Sequence, residues 1–432
     1  MRNGKKWMAL CLAAALTAGL AGCQSQTGSS AAPAAENKNV AEQNEKKQMD
    51  TVEESSVQAA ETHKIGVAVY NLEDDEVKMF RSYYEDYLSA AFNVQFIYSD
   101  TITNINEEKQ FADQAKDEGC EGIISYVSYD LPEITAYCAD DMYYVLASGS
   151  YTDDMLVQAE QHERFLGITG PSAQDEYDAG VHLVQSIQNK EDDTVSDTQK
   201  IWLLLDGGVR TGNYMHEQRL AGALDALQKV GYILTASADE LGASSENCLA
   251  AEHPDGGKVY LCPGYFYTED SQKNITEALD CVDPDAVISV CSLAVLYDML
   301  LEKEEAQNKN MQIGAVDCFS ETNRKAFETK DIFGNSSIDC IVGKCQAMGA
   351  PAFIAMYNAI TGHVKVVRDG GKPYRLSQNM WMAGSAQDYD SLCAKASNIY
   401  ENVYTTNEIM KVLAVYNPSA DFTSFKSFVE KL

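Results

Sequence analysis

Hydrophobic positions in this chain form short unbroken runs that alternate with amphipathic segments. The first run, residues 64–70, has no polar alternation, which is typical of a strand covered on both faces. Apolar residues then recur at helical spacing over residues 77–91, with acidic side chains in the first turn, where the helix dipole favours them. This order of strand and helix repeats along the chain. It predicts an α/β fold of parallel sheets with helices on both faces.

The predicted elements are too numerous for one comfortable open sheet, so we divide them between two doubly wound lobes. Further strands are predicted at residues 94–98, 122–126, 143–147, 165–169, 200–205, 259–262, 286–290, 312–316 and 338–342. Further helices are predicted at residues 107–118, 132–138, 177–189, 217–230, 270–281, 293–303, 321–329 and 350–361.

The N-terminus has a different pattern. Positive residues precede an apolar run over residues 7–20, which is too short to cross a bilayer comfortably and ends in small residues. Residues 20–23 read LAGC, which resembles the bacterial lipobox, whose cysteine receives a diacylglyceryl group and becomes the mature N-terminus. We therefore expect residues 1–22 to be a lipoprotein signal peptide and Cys23 to carry the lipid. The alternative is an ordinary secretory signal with an incidental cysteine.

A polar segment separates this region from the first predicted strand. It is rich in Ala, Ser, Gln, Glu, Asn and Lys, and no aromatic residue precedes Tyr70 except in the signal segment. Such a composition cannot bury enough apolar area to offset the entropy of ordering, so residues 23–63 are predicted to be a lipidated, disordered tether. No second apolar run reaches the length of a spanning helix. We expect an extracytoplasmic protein, anchored by lipid to the outer face of the cell membrane.

Charge and cysteine content exclude some classes of function. Lys and Arg total 33 against 65 Asp and Glu, a net charge of −32, which argues against binding nucleic acid. Of the 12 cysteines, Cys11 lies in the signal segment and Cys23 is the lipidation candidate; the rest sit largely within apolar runs. We expect mostly reduced, buried thiols, with a disulfide framework as the alternative. No CxxC occurs and the histidines are scattered, so neither a metal nor a cofactor is expected.

Several motifs, taken in order, resemble the type I periplasmic-binding-protein fold, in particular the sugar-binding solute-binding lipoproteins of ABC transporters. They are KIGVAV at residues 64–69, QAKDEGCEGIISY at 114–126, DEYDAG at 175–180, EQRLAGALDAL at 217–227, DPDAVISVCS at 283–292 and IGAVDCF at 313–319.

The resemblance covers residues 64–370 and implies how the chain divides. The first lobe would comprise residues 64–171, rejoined at about 343–374. The second would comprise residues 172–342, with residues 375–432 packing back on it. Three crossings would make the hinge, and a ligand would lie between the lobes at the carboxyl ends of the strands.

Carried over position by position, the resemblance implies a set of ligand-binding residues. The first lobe would supply Tyr70, Asp74, Tyr126, Ser128, Tyr129 and Ser148, and the second Glu217, Phe266, Ser292, Asp317 and Lys344. Carboxylates can accept from sugar hydroxyls while an aromatic face covers the ring, and Asp317 and Phe266 fit these roles. Asp317 could instead cap the helix that follows, although a nearby helix N-terminus would in either case favour its ionised form. Arg219 is expected to pair with a structural carboxylate.

This sequence departs from the family pattern at several of these positions. Ser148 and Gly149 stand where many sugar binders have Asp-Arg, and Glu217 replaces a basic residue. Ser292 stands in place of a late Asn, and Lys344 in place of a Gln. The predicted site therefore remains polar but lacks the usual sugar clamp.

We expect no enzyme, because no GxSxG, HExxH, Walker A or GxGxxG motif sits at a strand-to-helix turn. The resemblance implies a monomer that captures a small polar solute, a sugar or polyol, and delivers it to the permease of an ABC importer. The alternative is a ligand-sensing lipoprotein that presents a nucleoside or another small polar signal to a membrane receptor or sensor kinase.

Replacement of Cys23 by Ser tests the predicted anchor. Without the thiol no lipid can be attached, so the variant should be released from the membrane or accumulate as an uncleaved precursor. Cells are grown with a labelled lipid precursor and separated into membrane and soluble fractions. The parent should carry the label in the membrane fraction, whereas the variant should carry none. Normal lipid labelling of a membrane-bound variant would contradict the prediction.

Overall fold

The computed structural model describes residues 62–149, 151–188, 195–265, 269–397 and 403–432. The predicted signal peptide, Cys23 and nearly all of the tether lie outside the described residues. The strands are β1 (His63–Ala68), β2 (Val94–Tyr98), β3 (Gly122–Ser125), β4 (Tyr143–Leu146), β5 (Phe165–Gly170), β6 (Ile201–Leu205), β7 (Ile233–Leu234), β8 (Cys248–Glu252), β9 (Lys258–Cys262), β10 (Ala286–Ser289), β11 (Gln312–Cys318), β12 (Cys340–Lys344), β13 (Arg368–Asp369), β14 (Lys372–Ser377) and β15 (Trp381–Ala383).

The helices lie between these strands and after the last of them. They are α1 (Asp75–Ser82), α2 (Ala90–Phe92), α3 (Ile105–Asp117), α4 (Leu131–Cys138), α5 (Asp153–Ala159), α6 (Ala173–Gln188), α7 (Tyr214–Lys229), α8 (Ala238–Gly242), α9 (Glu269–Val282), α10 (Tyr297–Gln307), α11 (Glu321–Glu328), α12 (Ala350–Ile360), α13 (Ala386–Ser397), α14 (Thr406–Val412) and α15 (Phe422–Val429). A π-helical stretch, Tyr83–Ser89, joins α1 to α2.

Two sheets confirm the predicted α/β fold. The first has the order β13-β14-β5-β4-β3-β1-β2, and the second has the order β15-β12-β11-β10-β6-β9-β8-β7. Pairing is parallel through the centre of both sheets, and the antiparallel pairs lie toward their edges. Central strands such as β3 and β10 are buried at every position, as expected for strands with helices on both faces.

The predicted strands match the structure to within two residues at each end, whereas five strands at or next to a sheet edge were missed: β7, β8, β13, β14 and β15. β7 and β13 have two residues each and β15 has three. Strands this short at a sheet edge have too few buried positions to produce an apolar run in the sequence.

The chain crosses between the lobes three times within the described residues. It passes from β5 to α6, returns from β12 to α12, and leaves again from β14 to β15. Helix α6 packs on α7, β11 and β12, whereas α12 packs on β3, β4 and β5. The three crossings expected of the hinge are thus present.

The C-terminal segment corrects one prediction, because residues 375–432 do not all pack on the second lobe. β15 and α13 join that lobe, but β14 pairs with β5, and α14 and α15 pack on α12 of the first lobe. The reason is that α12 is apolar on all sides, so its outer face, which points away from the first sheet, must also be buried. Asn358 fixes the covering segment: its Nδ2 donates to Val412 O and its Oδ1 accepts from Ala414 N, both at 2.9 Å.

Two glycines bring α6 and α7 into backbone contact. A Cβ atom on Gly180 would lie 1.9 Å from Arg219 O, and one on Gly222 would lie 1.9 Å from Tyr177 O. Any other residue at either position would push the helices apart. This contact explains why both motifs that end in these glycines, DEYDAG and the Arg-x-x-Gly start of α7, occur together.

Most described cysteines are buried. The buried ones are Cys120, Cys138, Cys262, Cys291, Cys318, Cys340 and Cys345. Free thiols are found at Cys120, Cys138, Cys248, Cys262, Cys281, Cys291, Cys318 and Cys345. Burial raises the pKa of Cys262 and of Cys291 to about 12, which keeps these thiols protonated and unreactive.

None of the helices in the described ranges combines the length and the apolar character required to cross a membrane.

Thiol titration tests the expected redox state. In denaturant without reductant, at least the eight free thiols named above should react with Ellman's reagent. If two or fewer reacted, the disulfide framework would be the better interpretation.

Candidate ligand-binding site

A cavity of about 790 Å³ lies between the two lobes, where the carboxyl ends of both sheets meet. Nine residues predicted for the site lie in its wall: Tyr70, Asp74, Tyr126, Ser128, Tyr129, Ser148, Ser292, Asp317 and Lys344. Parallel strands place the loops after their carboxyl ends at one edge of a sheet, which is why these sequence-distant residues come together.

Asp74 organises the first-lobe wall after β1. Its Oδ1 accepts hydrogen bonds from the Tyr70 hydroxyl and from Glu76 N, both at 2.9 Å, so Asp74 is the N-cap of α1. Burial raises the pKa of Asp74, and the nearby Glu76 charge raises it further. Both hydrogen bonds use Oδ1, which leaves Oδ2 for another donor.

Tyrosines of the first lobe give the wall rigidity. The Tyr126 ring stacks on Phe80 with a centroid distance of 4.6 Å, and its hydroxyl donates to Tyr84 Oη at 2.8 Å. The Tyr129 N–H donates at 3.2 Å to Glu108, a buried carboxyl whose pKa burial raises to about 7. The hydrogen bond to Glu108 therefore holds the loop after β3 in place. The Ser128 hydroxyl in this loop is buried and has no hydrogen-bond partner in the described part of the chain.

Asp317 occupies the second-lobe wall near the end of β11. Its Oδ1 accepts from Cys318 N at 2.8 Å, and its buried Oδ2 has no hydrogen-bond partner among the described residues. The helix-cap alternative is wrong, because Ser320 is the N-cap of α11 and accepts from Asn323 N. Burial raises the pKa of Asp317 to about 6, opposite in direction to the effect expected of a nearby helix N-terminus, although the carboxyl remains mostly ionised at neutral pH.

Two cations in the described part of the chain border the cavity, and both are paired. Arg219 Nε donates to Glu176 Oε2 at 2.5 Å and its Nη1 donates to Val290 O at 2.7 Å, which confirms the expected structural pairing. Lys344 Nζ lies 3.1 Å from Glu76 Oε1, joining the end of β12 in the second lobe to α1 in the first. These side chains are largely buried, so each pair compensates charges that water reaches poorly.

Sequence reasoning missed the contribution of the β6–α7 connection. Asn213 caps α7 and its Nδ2 donates to Tyr265 Oη at 2.8 Å, while His216 Nδ1 accepts from Gly208 N at 2.9 Å. Burial and the charges of Arg219 and Lys344 lower the pKa of His216 well below its usual range. The imidazole is therefore neutral, with its proton on Nε2. The Asn at the start of α7 was the available signal for this segment.

One predicted residue, Glu217, does not join this set. Glu217 lies in the first turn of α7 but outside the cavity wall, so the prediction that it lines the site is wrong. The residues that α7 contributes to the wall are Tyr214, Met215, His216 and Arg219. Partial burial raises the pKa of Glu217, and the charge of Asp239 on α8 raises it further. Phe266 lies outside the described residues.

Comparison with solved structures confirms the fold. An ABC transporter solute binding protein from Bacillus halodurans, with bound myo-inositol, has a TM-score of 0.53 at 15% identity, covering 77% of this chain and 98% of that one. A carbohydrate transporter from Acidothermus cellulolyticus in complex with myo-inositol gives 0.52 at 14% identity, covering 78% and 98%. The arabinose binding protein AraP from Geobacillus stearothermophilus gives 0.52 at 13% identity, covering 77% and 99%.

At these identities the likeness establishes architecture. The chain has the two-lobed fold of type I periplasmic binding proteins. No protein-family model and no curated protein matches it.

The raised pKa of Asp317 predicts how stability responds to pH. The unfolded carboxyl titrates near 3.8 and the folded one near 6, so its contribution to stability is complete below about pH 4 and is lost as pH rises through 6. Asp317→Asn removes this loss. Relative to the parent, the variant should gain up to about 3 kcal/mol in unfolding free energy between pH 4 and pH 8.

Urea melts across this pH range measure the effect. Asp100→Asn is the control, because Asp100 is exposed and its loss changes only the overall charge. Parallel pH profiles for the parent and both variants would contradict the assigned burial of Asp317.

Proposed function

We propose that this protein captures a small polar solute, a sugar or polyol, in the cleft between its lobes and delivers it to the permease of an ABC importer. The proposal includes anchoring at Cys23 and a location outside the cytoplasm. The observation that carries it is the cavity between the lobes, whose walls offer polar atoms that have no hydrogen-bond partner among the described residues.

The dimensions of the cavity support a ligand of this class. A volume of about 790 Å³ falls within the range of about 300–1,000 Å³ that is typical of small-molecule sites. Two solved structures with the same fold are described with bound myo-inositol. A monosaccharide or cyclitol would fill part of the cavity and leave room for ordered water.

The chemistry of the walls supports hydroxyl recognition. Asp317 Oδ2 is an acceptor, His216 Nε2–H is a donor, and the Ser128 hydroxyl can act as either. The walls also contain Tyr129 and Tyr151, whose rings can cover the apolar face of a sugar. We propose Tyr70, Asp74, Tyr126, Ser148, Ser292 and Lys344 as the residues that complete the site.

Delivery to a permease requires that ligand binding be coupled to the arrangement of the lobes. The Lys344–Glu76 pair joins the lobes beside the second crossing, and α1 contacts β11 across the cleft. A ligand that contacts Asp74 and Asp317 together would favour the closed arrangement, because it gains both sets of contacts only there.

Thermal-shift screening against a panel of sugars and polyols that includes amino sugars tests the proposal, since a ligand that binds only the native state raises the melting temperature. Binding should then be measured by calorimetry for the parent, for Asp317→Asn and for the control Asp100→Asn. We expect the affinity of Asp317→Asn to fall about ten- to a hundredfold through loss of a charge-assisted hydrogen bond, and that of the control to stay unchanged.

Two results would contradict the proposal. If no sugar or polyol raises the melting temperature, the ligand class is wrong. If a ligand is found but Asp317→Asn binds it as tightly as the parent, the site assignment is wrong. Loss of uptake of the identified ligand on deletion of the gene, restored by the parent gene, tests delivery separately.

A further inference from the structure

The walls of the cleft carry an unbalanced set of charges. Among the described residues, three acidic side chains, Asp74, Glu76 and Asp317, and two basic ones, Arg219 and Lys344, line the cavity. Glu76 is paired with Lys344. Arg219 is paired with Glu176, which lies behind the wall. Within the described ranges, no lysine, arginine or histidine forms a salt bridge with Asp74 or Asp317.

The two unbalanced carboxylates come from opposite lobes. Asp74 follows β1 in the first lobe, Asp317 lies near the end of β11 in the second, and α1, which Asp74 caps, contacts β11. They are close enough for the Asp74 charge to raise the pKa of Asp317. Removing two like charges from water without a counter-charge is costly, so this arrangement favours a cation between them.

We propose that the solute carries a primary ammonium group, as an amino sugar or an aminocyclitol does, and that this group binds between Asp74 and Asp317. This inference rests on the proposed function and narrows its ligand class. Asp74 Oδ2 accepts one ammonium proton and Asp317 Oδ2 accepts another. The hydroxyls of the same ligand reach Ser128 and His216.

An ammonium group fits this position better than a metal ion. Ca²⁺ takes about six to eight oxygen ligands, and the described residues contain no group of three or more His, Cys, Asp or Glu side chains that could hold a metal ion. An ammonium group has three donors and needs only the two carboxylates and one further acceptor or water. The same carboxylates repel anionic sugars.

Matched pairs of ligands test the inference. D-glucosamine, D-galactosamine and D-mannosamine are compared by calorimetry with D-glucose, D-galactose and D-mannose at pH 7.5 in phosphate buffer, which contains no competing amine. Each pair differs only by an ammonium group in place of a hydroxyl. At least one amino sugar should bind about tenfold or more tightly than its neutral parent, because charge-assisted hydrogen bonds are roughly twice as strong as neutral ones.

Variants at both carboxylates test whether the preference for amino sugars arises from Asp74 and Asp317. Asp74→Asn keeps an oxygen that can cap α1, and Asp317→Asn keeps the shape of the second-lobe wall, so both should fold. Each should reduce the ratio of amino-sugar to neutral-sugar affinity severalfold or more. The control Asp100→Asn should leave this ratio unchanged.

The outcomes separate the two proposals. Neutral sugars that bind as tightly as their amino counterparts would overturn the ammonium site and leave the proposed function intact. A preference for amino sugars that survives in both Asn variants would also overturn it, because the ammonium would then bind elsewhere. Failure of every sugar in both series to bind would contradict the proposed function and the inference with it.

Discussion

The buried ion pair between Arg219 and Glu176 holds the second-lobe wall of the cleft together. Glu176 lies in the first turn of α6, directly after the chain enters this lobe, and Arg219 lies on α7. Arg219 also donates to Val290 O, just before Cys291 and Ser292 in the wall. One guanidinium therefore joins three segments that are distant in sequence. Removal of either partner would leave a buried charge uncompensated, at a cost of about 3–5 kcal/mol.

This ion pair also determines which charges remain for a ligand. Because Arg219 is occupied by Glu176 and Lys344 by Glu76, neither cation neutralises Asp74 or Asp317. The two remaining carboxylates have pKa values raised by burial, so their ionised forms reduce stability at neutral pH. Groups that weaken the free protein in this way are typical of binding sites, where the ligand supplies the missing partner.

The sequence determined the fold class because its signals are local. Central strands such as β3 and β10 are buried on both faces, so their apolar runs are visible without any knowledge of their neighbours. The order of strands and helices then limits the topology strongly. Edge strands such as β7 and β15 carry no comparable signal, because one side of each lacks a neighbour and few of its residues are buried. The prediction that α14 and α15 pack on the second lobe was wrong for a related reason. Their position is determined by the apolar outer face of α12, which they cover, and not by any property of α14 or α15 themselves.

For the site, the sequence by itself determined which loops reach the cleft, because the carboxyl ends of the strands in a parallel sheet lie at one edge. This rule correctly placed Asp74, Ser128 and Asp317 in the wall of the cleft. Only the tertiary structure decided which way a helical side chain points. It placed His216 in the wall and Glu217 outside it, although the two are adjacent in sequence, because α7 is fixed against α6 by Gly180 and Gly222. It also decided which charges are paired. Pairing depends on distances between segments that are far apart in sequence, and a sequence specifies such distances only through the complete fold.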